Sequence, residues 1–376
     1  MRPHDELAHL LRPAGGGLFL VSTGRAEQLA LQRRLYRADD DAQVVERFRA
    51  NLHRIADARV ILLGVPSDVG AGFRRGANLG PQAIRSAWLD ADPQWPDRAD
   101  QLGVVDLGDV FVVPQLLHDD MLSAQQLAAS RRALYPDLPA DHAAALPVSP
   151  LSIAERAFDL IFAINPHARP LLLGGDHSVA WPLTAALARA RADRWGIVQF
   201  DAHTDLLSER LGVRYCFATW SYHANQLLGA DGRLVQLGIR ASRFDRGHWE
   251  AGLGVRQLWA DQCLADPSAS LALLLDHLRA RAVAPVYLSN DIDGTDARYA
   301  DATGTPEPGG LEPDFVVEVI RALGREIGLC AGDLVELAPP LGSTERSRRA
   351  SALLALRYTR ETLAALLRVA PAAVVP

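Results

Sequence analysis

Gly196-Ile197-Val198-Gln199-Phe200-Asp201-Ala202-His203-Thr204-Asp205 joins a short apolar run directly to a charged cluster. The run Gly196–Phe200 has the length and composition of a buried strand. The residues after it alternate, and in extended backbone residues two apart point the same way, so Asp201, His203 and Asp205 converge on one side. In open α/β sheets ligand groups gather beyond the carboxyl ends of the strands. This stretch therefore predicts both a strand and a site at its end.

The arrangement recurs on either side. Leu171–Leu173 leads into Gly174-Gly175-Asp176-His177-Ser178, and Val286–Asn290 into Asp291-Ile292-Asp293. Further strands are expected at Val60–Val65, Leu234–Leu237 and Leu334–Leu337. Helical periodicity falls between them, in Ile153–Ile164, Val179–Arg191, Leu271–Ala282 and Phe315–Ile327. Apolar strands alternating with helices predict a mainly parallel sheet covered on both faces. Residues 56–376 read as one domain, with 115–150, rich in Ala, Asp and Pro, as a surface excursion. Residues 1–55 read as an N-terminal extension: a glycine run, Gly15–Gly17, then a polar, Arg-rich helical stretch from Ala26 to Asn51. Such a stretch packs on a neighbouring subunit or is simply solvated.

His177, Asp201, His203, Asp205, Asp291 and Asp293 form a candidate metal-ligand set. Each part has an ordinary reading: D-x-D after a strand is common turn chemistry, and a histidine after two glycines can open a helix. Together, at the ends of different strands, they resist that reading, because buried carboxylates without a compensating charge are costly. Mixed imidazole and carboxylate donors favour Mn, Fe, Co, Ni or Zn over Ca or Mg. Six donors exceed the need of one catalytic ion and suit a carboxylate-bridged pair.

Composition narrows the chemistry. The 376 residues carry a formal net charge of −6 with both signs interspersed, which suggests neither a nucleic-acid nor a membrane partner. There is no lysine, which removes Schiff-base, P-loop and protein-kinase chemistry. Cys216, Cys263 and Cys330 are far apart and odd in number, fitting a reducing compartment. With no signal-peptide pattern in the first residues and no long apolar run, the chain reads as soluble and cytoplasmic.

Ordered blocks from about Val60 to Pro340 resemble the ureohydrolase family of arginases, agmatinases and formimidoylglutamases. They are Gly64-Val65-Pro66; Arg75-Gly76-Ala77 with Gly80-Pro81; Val105–Asp109; the G-G-D-H and D-A-H-T-D clusters; Ser289–Gly310, with Asp291, Asp293, Asp296 and Thr303-Gly304-Thr305-Pro306; and Asp333–Pro339. The resemblance implies the arginase-like three-layer α/β/α fold and two divalent ions, Mn²⁺ or Ni²⁺. By the family's pattern, His177, Asp201, Asp205 and Asp291 hold one ion; Asp201 and Asp291 bridge to a second, completed by His203 and Asp293. Asp205 orients the attacking hydroxide, and Glu336 pairs with the guanidinium of a small cationic guanidino substrate. A homo-oligomer, trimer or hexamer, is the family expectation.

One block departs from the family. Agmatinases carry a proton-shuttling histidine twelve residues after the last Asp of D-A-H-x-D; here that position is Phe217, with Thr219 keeping the register. Phenylalanine transfers no proton, a role worth ~10²–10⁴-fold. His223 is one candidate substitute acid. A less demanding leaving group, or kinship with the formimidoyl branch, which also lacks this histidine, is another explanation. The third, preferred here, is a rebuilt pocket narrowed by Phe217, Trp220 and Tyr222, with Phe217, Thr219 and Trp220 contacting substrate. The loop also lacks the residues with which arginases grip an α-amino acid end, so guanidine, an alkylguanidine, guanidinobutyrate or agmatine fits better than arginine. Guanidine hydrolases of the family tend to carry an N-terminal extension and use nickel, an analogy for residues 1–55. The competing readings are a formimidoylglutamase-like hydrolase, a non-catalytic partner subunit motivated by Phe217, and a deacetylase on the related scaffold.

Overall fold

The computed structural model describes residues 1–374. Nine strands among them form one sheet: β1 (Leu11–Arg12), β2 (Val60–Val65), β3 (Val104–Val110), β4 (Arg169–Gly174), β5 (Gly196–Phe200), β6 (Leu234–Ile239), β7 (Arg256–Trp259), β8 (Val286–Asn290) and β9 (Leu329–Leu334). Their spatial order is β1-β3-β2-β4-β9-β8-β5-β6-β7. All neighbours are parallel except β1, which runs antiparallel to β3.

This order explains where helices go. The chain steps one way from β2 to β3 through helices Gly80–Ala91 and Trp95–Leu102, and the other way from β4 to β5 through Ala180–Ala190. Right-handed crossovers in opposite directions put their helices on opposite faces. One layer packs Gly80–Ala91 and Pro313–Glu326 against the long helix Glu345–Leu367; the other packs Pro150–Ile164, Ala180–Ala190 and Trp220–Leu227. The strands between are buried on both faces, Leu171–Leu173 and Leu62–Val65 almost completely, which is why these two runs are apolar without alternation.

The last two strands in sequence, β8 and β9, insert between β4 and β5. The carboxyl ends of β4, β9, β8 and β5 are consequently adjacent at the centre of the sheet, and these are the strands that carry the G-G-D-H, Glu336, D-I-D and D-A-H-T-D clusters.

Some boundaries differ from expectation. The strand expected over Leu334–Leu337 is β9, Leu329–Leu334, and the chain has left the sheet by Val335, keeping a single bridge to Asp291. The departure is fixed by Glu336, whose φ of 63° is incompatible with a strand. The helical stretch from Ala26 to Asn51 is two helices, Arg25–Tyr36 and Asp41–His53. Arg37 closes the first with φ 51°, and Asp40 caps the second by accepting from Gln43 N–H at 2.8 Å. Excursion 115–150 contains helices Ala124–Leu134 and Ala140–Ala144 and buries Tyr135, Leu146 and Val148.

Within this chain the first 55 residues are tied to the sheet. Leu11 pairs with Val110, Gly15 N–H donates to Asp109 Oδ2 at 2.7 Å, and Leu7, Leu10, Leu31 and Phe48 are buried. Asp109 in turn shares the buried Arg85 guanidinium with Asp106. This accounts for Val105–Asp109 as a structural block: a buried arginine needs paired carboxylates.

Candidate active site

Short turns aim the ligand side chains. Asp201 leaves β5, its N–H donating to Leu237 O at 3.0 Å, and its Oδ1 accepts from His203 N–H at 2.6 Å. Asp291 likewise accepts from Asp293 N–H at 2.9 Å, and Asp293 Oδ1 accepts from Ala202 N–H at 3.0 Å, stitching the two loops together. Asp205 sits at φ 51°, as unusual for a non-glycine residue as Glu336. Such strain costs ~1–3 kcal/mol and persists where surrounding structure enforces it.

The clusters meet as two groups sharing Asp201. His177 Nδ1 lies 3.2 Å from Asp201 Oδ2, 3.2 Å from Asp205 Oδ2 and 3.1 Å from Asp291 Oδ2. His203 Nδ1 lies 3.1 Å from Asp293 Oδ2 and 3.5 Å from Asp201 Oδ1. The donor atoms of His177, Asp201 and Asp205 fall within 4.8 Å of one another, as do those of Asp201, His203 and Asp293. His177 Nδ1 is buried and makes no hydrogen bond despite three oxygens around it. A nitrogen so orphaned, facing carboxylates that repel one another, fits a divalent cation between them.

The charges point the same way. Burial would lower the His177 pKa, but the surrounding carboxylates outweigh it and raise it well above the ordinary value. His203 is likewise pushed up to about 12, the carboxylates of Asp293 and Asp201 overcoming burial. Asp205 is pushed up to about 7 by burial and the Asp201 charge.

A supporting layer escaped the sequence reading. His177 Nε2 meets Ser289 Oγ at 3.0 Å; Ser289 donates to Asp333 at 2.9 Å, and Tyr287 O–H also donates to Asp333. Asp205 Oδ2 accepts from Trp220 Nε1 at 3.2 Å, Asp293 Oδ2 from Thr305 Oγ1 at 3.1 Å, and Asp201 Oδ2 from Gln199 Nε2 at 2.7 Å. Parity was the available signal: Ser289 and Gln199 lie two residues before ligand aspartates on the same strand faces. Arg240, just beyond β6, donates to the carbonyls of Asp293 (2.7 Å) and Glu307 (2.8 Å), fixing the loop that contains Thr303–Pro306.

Glu336 enters from the end of β9. Its N–H donates to Gly175 O at 2.8 Å and its Oε1 accepts from His177 N–H at 2.9 Å. Burial and the Asp176 charge raise its pKa well above the carboxylate range; a bound cation would favour its ionised form.

A cavity of about 550 Å³ opens over His203 and Asp205, lined also by Arg210, Phe217, Arg243 and Phe244. Of the loop residues singled out from sequence, Phe217 reaches this cavity, with the Arg210 guanidinium 4.9 Å from its ring centroid. Thr219, Trp220 and His223 do not line it. Thr219 is buried and bonds its own loop through Arg214 O and Cys216 N–H. Trp220 is fully buried beneath Asp205, its ring 4.6 Å from that of His177. His223 bonds Arg214 O at 3.0 Å and packs edge-on against Tyr215 and Trp181. Aromatic packing of Trp220 and His223, and the loop hydrogen bonds of Thr219, place these side chains away from the cavity.

Fold and cluster define a class: α/β/α proteins that gather imidazoles and carboxylates at the carboxyl edge of a parallel sheet. Comparison narrows it. The Arginase family model matches residues 58–364. A guanidinobutyrase of Pseudomonas aeruginosa is 32% identical over 291 residues, 75% of this chain and 79% of that protein. The human mitochondrial guanidino acid hydrolase is 31% identical over 315 residues, 82% of this chain and 78% of that protein. Among solved structures, the proclavaminate amidino hydrolase of Streptomyces clavuligerus superposes with a TM-score of 0.63 at 27% identity, covering 83% of this chain and 92% of that one. The chain belongs to the arginase family. It is a hydrolase acting on C–N bonds of linear amidines, and membership implies a binuclear divalent metal centre.

Proposed function

We propose that this guanidino-compound amidinohydrolase acts on a small guanidino carboxylic acid of the guanidinobutyrate type, yielding urea and an ω-amino acid, with two Mn²⁺ or Ni²⁺ ions held by His177, Asp201, His203, Asp205, Asp291 and Asp293. The observation that carries the reading is the position of Asp201, which offers Oδ2 to the His177 group and Oδ1 to the His203 group. A carboxylate placed between two imidazole sets is what a paired-ion site requires.

When bound, such a pair supplies an acidified water as nucleophile. Glu336 pairs with the planar guanidinium and holds it over the cluster. Asp205 takes the proton released as the water oxygen bonds to the amidine carbon, and returns it to the leaving nitrogen as the C–N bond breaks. Phe217 forms a wall of the cavity and moves no proton.

The cavity supports a carboxylate end. About 550 Å³ exceeds what guanidine alone would fill, so there is room for an aliphatic arm. Arg210 and Arg243 line the cavity together with Asp205 and Glu209; with Asp205 engaged at the cluster, an arm ending in a carboxylate meets the two guanidinium groups, whereas the second cation of agmatine meets like charge. The guanidinobutyrase and guanidino acid hydrolase relatives support the same choice. The three cysteines are buried and unbridged, and no helix among the described residues is long and apolar enough to cross a membrane; with these we read a cytoplasmic protein. The exposed pair Phe19 and Val21 supports a homo-oligomer, trimer or hexamer.

The test is urea and ammonia release by the purified chain, loaded separately with Mn²⁺ and Ni²⁺. The panel is guanidinobutyrate, agmatine, guanidine, methylguanidine, arginine and formimidoylglutamate. Guanidinobutyrate is expected to give the highest kcat/KM. Preference for agmatine or guanidine would overturn the carboxylate-end reading, and silence with both metals would overturn the activity.

A further inference from the structure

Three glutamines, Gln199, Gln236 and Gln257, sit side by side on β5, β6 and β7. They are register partners in the sheet, Gln199 opposite Gln236 and Gln236 opposite Gln257. All three are fully buried. Burying three adjacent amides costs free energy unless each finds partners, and here they find one another. Gln257 Nε2 donates to Gln236 Oε1 at 2.8 Å, Gln236 Nε2 to Gln199 Oε1 at 2.8 Å, and Gln199 Nε2 to Asp201 Oδ2 at 2.7 Å.

The direction of this chain is dictated by its ends. An ionised carboxylate only accepts, so Gln199 must turn its NH₂ to Asp201 and its oxygen to Gln236 and to Ser221 Oγ, which donates at 2.5 Å. Gln236 must then present NH₂, and it does so twice, also donating to Thr204 O at 2.6 Å. Its oxygen faces Gln257, whose own oxygen accepts from Trp259 Nε1 at 2.9 Å. An indole N–H only donates. The outer end therefore imposes the same polarity as the inner one, and every amide dipole points its positive end toward Asp201. Aligned hydrogen bonds polarise one another in low-dielectric surroundings.

We propose that the Trp259–Gln257–Gln236–Gln199 ladder is the positioning device for the shared ligand Asp201, holding its carboxylate rotation so that one oxygen serves each half of the metal centre. Gln236 adds a second restraint, because Thr204 lies between His203 and Asp205 and its carbonyl is pinned by the same NH₂ group. The glutamines touch no substrate; they act through Asp201 and the 203–205 turn. The inference rests on the reading of Asp201 as a metal ligand.

The experiment measures Mn²⁺ affinity of the full chain by competition with a chelating dye, together with the thermal midpoint of the metal-free protein. Gln236→Met keeps volume and removes the middle link; Gln257→Met removes a link that contacts no ligand loop. Loss of partners one shell out typically costs 10–100-fold in metal affinity. We expect weakening of about that size for Gln236→Met and a smaller, few-fold weakening for Gln257→Met, with two ions still bound at saturation. A merely structural ladder would lower the metal-free midpoint and leave Mn²⁺ affinity unchanged in both variants, which overturns the proposal. Should Gln236→Met fail to fold, unchanged affinity in Gln257→Met overturns it alone. Asp201→Asn separates the two readings: if it binds both ions as the parent does, the metal assignment itself fails. If it loses them while both Met variants bind normally, only the ladder fails.

Discussion

The indole N–H of Trp220 donates to Asp205 Oδ2 at 3.2 Å from directly beneath the metal-ligand cluster. The Asp205 backbone is in the left-handed region, φ 51°, so its carboxylate is held by contacts rather than by its own preference. Trp220→Phe keeps the ring against His177 and removes the donor. Losing a hydrogen bond to a charged group costs ~1.5–3 kcal/mol, so kcat/KM should fall about 10- to 100-fold at saturating metal. Steady-state kinetics with guanidinobutyrate checks this; an unchanged kcat/KM would remove the role given to Trp220.

Asp293 contributes to the His203 group and ties the D-A-H-T-D loop through Ala202 N–H. Asp293→Ala should abolish turnover and leave fewer than two ions per chain by elemental analysis. Full metal content with normal turnover is the outcome that sinks the ligand assignment.

Glu336→Gln is isosteric and keeps an oxygen for His177 N–H, yet it lacks the charge that pairs with a guanidinium. Metal content should be retained while KM for the guanidino substrate rises at least ~10-fold, the scale of a lost charge-assisted bond. Unchanged KM in a metal-replete variant would place substrate recognition elsewhere.

Gly175 explains the paired glycines of the G-G-D-H cluster. A Cβ there would overlap the carbonyl of Ser67, and Gly175 O receives Glu336 N–H. Gly175→Ala should destabilise the fold by ~1–3 kcal/mol or more and impair activity with it. Denaturant unfolding measures the first, and wild-type stability in the variant would contradict the close approach.

His118 packs against Tyr215 at 4.8 Å and tethers the 115–150 excursion to the cavity loop. Burial lowers its pKa below the usual 6.5, against the opposing charges of Asp120 and Glu155. Above pH 6.5 neither folded nor unfolded chain is protonated there, and its contribution to stability is complete. As pH falls through 6.5 the unfolded chain takes the proton first, so stability is lost from 6.5 down to the folded-state value. Thermal midpoints at pH 7.5, 6.5 and 5.5 should fall more steeply in the wild type than in His118→Asn; parallel slopes would refute the assignment.

Sequence alone determined whatever depends on near neighbours. The apolar run Leu171–Leu173 and the mostly apolar Gly196–Phe200 specify strands buried on both faces, and the spacing of Asp201, His203 and Asp205 orients them together by strand geometry. Only the tertiary structure decided which ends are adjacent. β8 and β9 lie between β4 and β5 because long-range register and packing place them there, and without that insertion Asp291 and Glu336 would not meet His177 and Asp201. The same limit explains the expected strand at Leu334–Leu337, which ends early because Glu336 takes a backbone conformation enforced by contacts with Gly175 and His177. It explains Thr219, bonded within its own loop, Trp220, packed beneath Asp205, and His223, packed against Tyr215 and Trp181, all turned from the cavity. It explains the glutamine ladder, whose members are 37 and 21 residues apart in sequence and become neighbours only when strands pair. Local dihedral preferences are written residue by residue; strand order and side-chain partnership arise from the whole core closing at once.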